Sequence, residues 1–118
     1  MQNQLMPGLY FEDLKNQVVQ IVTTTSDIDY IILCDGSPSR KDELKPIRIT
    51  KEGLRYLGAY ITNEKVQRVV WKEMEFLWHN EKQMIKVSGQ YIKYIHQFQM
   101  ICAALSGMMP EKVNISTP

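Results

Sequence analysis

The chain has 118 residues, 44% of them hydrophobic, 23% charged and 9% aromatic, with a formal net charge of +1. This is the composition of one globular domain with a modest core. It excludes a low-complexity chain and a disulfide-stapled miniprotein, and no apolar run, Tyr30 to Cys34 and Met100 to Leu105 included, approaches the length of a membrane-spanning helix. The chain therefore reads as a single domain over residues 1–118, with loose ends at 1–8 and 108–118.

Charge is spread unevenly. Residues 1–38 hold one basic and five acidic side chains, whereas residues 39–72 hold nine basic and four acidic ones. The positive charge thus gathers in the middle, where Arg40, Lys41, Lys45, Arg48, Lys51 and Arg55 form a candidate patch for a partner or nucleic acid. The start, Met1-Gln2-Asn3-Gln4, lacks the basic and apolar regions of a secretory signal, and the expected home is cytoplasmic. Cys34 and Cys102 both lie in apolar runs and read as buried, reduced thiols.

In chain order, residues 9–25 fit two elements: Phe11, Leu14, Val18, Ile21 and Val22 follow helical spacing, whereas Val18 to Thr25 are dense in β-branched side chains that favour a strand. The preferred reading is a short helical turn near 9–16 feeding a strand near 17–24. Ile28 to Cys34 predicts a second strand, stopped by Asp35-Gly36-Ser37-Pro38. Ile47-Arg48-Ile49 alternates like a third. Thr50 is placed to cap a helix over 51–61, and Thr62 or Asn63 to cap a second over 64–79. Ser88 would cap a third over 89–106, which Gly107 and Pro110 end. The expected fold is α+β: a small N-terminal antiparallel β-meander followed by three α-helices.

On the helix expected at 64–79, the apolar side chains spread over roughly 220°, wider than one neighbour covers. Val69, Trp71, Phe76 and Trp78 are therefore the candidate oligomer interface, since a small domain has little interior for them.

Ile47 to Leu57 resembles the segment after the wing in winged-helix DNA-binding regulators, where a strand ends in Thr and a Thr-x-x-Gly turn opens a helix. The likeness implies a charged wing tip at 39–45. It stays local, because only 27 residues precede Ile28, too few for the three helices that such a fold places before its wing.

No catalytic constellation emerges. A Cys34 nucleophile needs a base, and neither His79 nor His96 is placed beside it by the pattern. Asp27 and Asp29 share a strand face but read as turn-flanking acids. Gly36 to Lys41 lacks the glycines and the lysine position of a phosphate loop. No metal pattern and no cofactor box is present. The expectation is a non-catalytic interaction protein, a homo-oligomer that binds or occludes a protein partner without a membrane. The alternative is a small nucleic-acid-binding regulator using residues 40–55.

Overall fold

A computed structural model describes residues 6–24, 30–33, 36 and 38–112. The chain divides into two compact units, Met1–Ile47 and Arg48–Pro118.

The first unit is an antiparallel meander of β1 (Tyr10–Glu12), β2 (Val18–Thr24), β3 (Tyr30–Leu33) and β4 (Pro38–Arg40). Residues 10–12 are a strand rather than the expected helical turn. Asp13 makes the first reversal: its carboxylate accepts from the Lys15 and Gln17 amides at 2.8 and 2.9 Å, a local bond that competes with helix. After β4 the chain passes through a 3₁₀ turn at Lys41–Glu43. It then returns to β1, where Glu12 and Lys45 exchange both backbone bonds at 2.9 and 2.8 Å. That return covers an edge that would otherwise stay open. Leu9, Phe11, Ile21 and Leu33 are buried. A bulge between Ile21 and Thr23 shifts the register, and Val22, next to buried Ile21, is exposed. The strand expected at Ile47–Ile49 does not form, although Arg48 makes an isolated bridge with Tyr94.

The second unit starts with α1 (Lys51–Tyr56). The Thr50 hydroxyl accepts from the Gly53 amide at 2.9 Å, so the expected cap and Thr-x-x-Gly turn are present. The helix ends five residues earlier than expected. Gly58 takes φ +82°, and the Gly58 and Ala59 amides return to Arg55 and Leu54, a left-handed glycine stop.

A five-stranded antiparallel sheet follows, in sequence order: β5 (Tyr60–Ile61), β6 (Arg68–Trp71), β7 (Met74–His79), β8 (Met84–Val87) and β9 (Gln90–Ile92). This overturns the expected arrangement of a meander plus three helices. The segment read as a helix over 64–79 is the β6–β7 hairpin, turning at Lys72 with φ +55°. The first residues of the helix expected at 89–106 are β9, and only α2 (Ile95–Ser106) is helical. Ser88 is not a cap. Ser88 and Gly89 have φ +50° and +81° and join β8 to β9 in a two-residue turn, the mirror-image turn that suits the twist of paired strands.

Alternation explains the wide apolar arc. Val69, Trp71, Phe76, Trp78, Ile85 and Ile92 all point to one face of the sheet and are buried. A period-two pattern wound at 100° per residue spreads around a helical wheel, but laid out as strands it makes one inner face. The helices cover that face. Phe98 of α2 meets Phe76 edge-on at 6.0 Å, and the Trp71 indole donates to the Leu57 carbonyl at 3.1 Å. Gly53 lets the helices approach, since a Cβ there would stand 3.1 Å from Ile95 Cδ1.

Beyond α2, Pro110 is buried and its carbonyl accepts from the buried Gln99 amide at 2.9 Å. Residues 108–112 belong to the stretch 108–118 expected as a loose end; within them this Pro110 bond is joined by the Lys112 ammonium, 5.6 Å from the centre of the Tyr56 ring. No helix among the described residues is long and apolar enough to cross a membrane.

Candidate functional site

The interior offers little chemistry. Among the described residues no group of three His, Cys, Asp or Glu side chains is placed to hold a metal ion. Cys102 is fully buried and free, and burial pushes its thiol up to about 12, so it carries almost no thiolate at neutral pH. Burial also holds the His96 imidazole below its ordinary range, with its ring stacked 6.0 Å from Tyr94. Cys34, Asp27, Asp29 and Asp35 lie outside the described residues.

The four residues expected at an oligomer interface, Val69, Trp71, Phe76 and Trp78, lie inside the second unit, each at most 8% exposed. The reason is the alternation above. Their burial is satisfied within one chain, so the argument from excess apolar surface to a second copy no longer holds.

The six basic residues expected to form one patch divide between the units. Arg40, Lys41 and Lys45 belong to the first, and two of them have local partners: Arg40 pairs with Asp42 at 3.2 Å, and Lys45 donates to the Asn16 side-chain oxygen at 3.4 Å. Arg48, Lys51 and Arg55 belong to the second. Arg48 donates to the Lys82 carbonyl at 3.2 Å, at the β7–β8 turn. Lys51 and Arg55 stand one helical turn apart on α1, both exposed. They line a groove of about 370 Å³ whose other wall is Ala59 to Asn63 together with Gln67.

This groove runs along an open sheet edge. Among the described residues β5 is an outer strand, paired with β6 alone. The Thr62 amide donates to the Arg68 carbonyl at 2.9 Å, and the Thr62 hydroxyl accepts from the Arg68 amide at 3.0 Å. In an antiparallel ladder the bonded pairs alternate. Tyr60 and Thr62 therefore turn their backbone groups toward β6, and Ile61 turns its N–H and C=O outward. The groove thus presents the outward donor and acceptor of an edge strand, two cations, an exposed Tyr60 and the amides of Asn63 and Gln67. Among the described residues no carboxylate lines it.

The sequence pointed to Lys51 and Arg55 through charge alone. It missed Tyr60, Asn63 and Gln67, because a helix expected over 51–61 hides an edge strand. Gly58 was the signal: read as a helix stop, it frees Tyr60 and Ile61 for a strand. No protein family, curated protein or solved structure matches this chain.

Proposed function

We propose that this chain is a non-catalytic interaction protein that captures an extended, acidic segment of a protein partner along β5. The observation that carries this reading is the groove in which the outward backbone of Ile61 lies beside Lys51 and Arg55. An extended peptide added to the edge gains main-chain hydrogen bonds from Ile61, and its carboxylates meet the two cations. Neither cation makes a salt bridge among the described residues, so pairing there costs no existing ion pair. The β5 edge is short, which limits indiscriminate pairing with other strands. Occupancy itself, by blocking or bridging the partner's segment, would be the function.

The test is titration of the isotope-labelled protein with an acidic extended octapeptide, followed by amide shifts. Saturable shifts at Ile61, Asn63, Lys51 and Arg55 are expected, together with slower hydrogen exchange at the Ile61 amide. Lys51→Glu with Arg55→Glu should abolish the shifts, and a lysine-rich peptide should give none. Equal response to acidic and basic peptides, or shifts confined to the first unit, would refute the reading.

A further inference from the structure

The opposite edge of the same sheet carries a different arrangement. Residues that alternate with the buried ones form the outer face, where Arg68, Leu77, Lys86 and Tyr91 stand side by side across four strands. Tyr91 is 40% exposed and Leu77 46%. The Lys82 and Lys86 ammonium groups lie 5.4 and 5.9 Å from the centre of the Tyr91 ring. The His79 ring meets Tyr91 edge-on at 5.8 Å. Arg48 joins the cluster through its bond to the Lys82 carbonyl at 3.2 Å. Arg48, Lys82 and Lys86 make no salt bridge among the described residues, whereas Arg68, farther along the row, pairs with Glu64 at 3.6 Å.

We propose that this face binds single-stranded nucleic acid, with a base stacked on Tyr91 and the flanking phosphates on Arg48, Lys82 and Lys86. The charge is complementary to a phosphate backbone, and the second unit as a whole holds ten basic and six acidic side chains. The aromatic ring decides between strand types. A projecting tyrosine on a sheet needs an unstacked base to receive it, which a single strand offers and a duplex withholds. The two ammonium groups lie over the ring, within reach of the phosphates that flank a base taking their place on it. The ordering cost is small, because Tyr91 is already positioned by a tight turn and by His79. This site stands apart from the β5 groove, since β5 and β9 are the two outer strands of the sheet.

The probe is a fluorescently labelled oligothymidylate of about a dozen nucleotides, roughly the site size of one such surface, followed by anisotropy with the full chain. Three neutralised phosphates predict a salt slope of about −2, hence an affinity loss of about twentyfold between 50 and 200 mM salt. A duplex of equal length should bind more weakly. Tyr91→Ala should lose about tenfold in affinity, with Tyr91→Phe near wild type. Lys82→Ala with Lys86→Ala should bring the slope to about −1; both positions are exposed, so this pair carries the test if Tyr91→Ala unfolds. Lys51→Glu with Arg55→Glu should leave most of the oligonucleotide binding in place, which separates this site from the peptide groove. The proposal is overturned by no saturable binding at low salt, by duplex binding as tight as single-strand binding, by unchanged affinity in Tyr91→Ala, or by loss of binding in the Lys51/Arg55 variant.

Discussion

The first unit buries Leu9, Phe11, Ile21 and Leu33 beneath a meander whose chain returns to its own first strand. The second unit instead lays two helices on a five-stranded sheet and encloses both tryptophans, Phe76 and Phe98. The charge differs as well: four basic and seven acidic side chains in the first unit, ten and six in the second. A sheet covered by helices gains a second layer and therefore a deeper core. On its other face the second unit carries Tyr91 with its cations. The first unit spends its strands on closing an edge. The comparison teaches that depth of core and a usable outer face come together in the second unit.

The strongest way to break this comparison is to empty the two cores. Phe98→Ala should cost about 3–5 kcal/mol, the range for a fully enclosed aromatic. Phe11→Ala should cost less, because the described elements of the first unit lay no α-helix on its sheet and the site relaxes more easily. Denaturant unfolding of both variants measures the difference, and equal losses would show that the first unit is packed as deeply as the second. A smaller effect comes from the anchor beyond α2. Gln99→Ala removes the donor to the Pro110 carbonyl and should cost about 1–3 kcal/mol, since that acceptor is left buried without its partner. Hydrogen exchange should then quicken over residues 106–112 and leave β1 to β4 unchanged.

The smallest effect is a pH dependence. Both histidines belong to the second unit, and His96 is held below its ordinary value by burial. Protonation therefore favours the unfolded chain. The contribution is fully present above the unfolded value, near 6.5, and is lost as pH falls through that value toward the folded one. The unfolding midpoint should decline from pH 7.5 to 5.5, by the amount that His96→Gln then removes, as a thermal melt series at fixed ionic strength would show. A midpoint that rises over the same interval would mean that the imidazolium has a partner in the fold.

Much of the punctuation was legible in the residues. Thr50 caps α1 with the Gly53 amide, Gly107 ends α2 in the left-handed conformation, and the β-branched run at 18–24, which the pattern left open between helix and strand, is a strand. Each is a local preference that its own neighbours enforce. The candidate site was half legible. Lys51 and Arg55 stood out by charge, but Tyr60 and Ile61 were absorbed into a helix that Gly58 stops. Ser88-Gly89 had two local meanings, a helix cap or a hairpin turn, and the cap was the wrong one.

By itself the sequence determined that the chain is globular, that its thiols sit in apolar runs, and where several elements start and stop. Only the tertiary structure decided that residues 68–92 are strands. Val69, Trp71, Phe76 and Trp78 sample two periodicities in so short a stretch, and nothing local separates them. Pairing separates them: each strand gains a ladder partner and a common inner face against α1 and α2, which a lone helix of the same residues would not. The same pairing moved the expected interface into the core and brought Tyr91 out beside Lys82 and Lys86, because a strand sends alternate side chains to opposite faces.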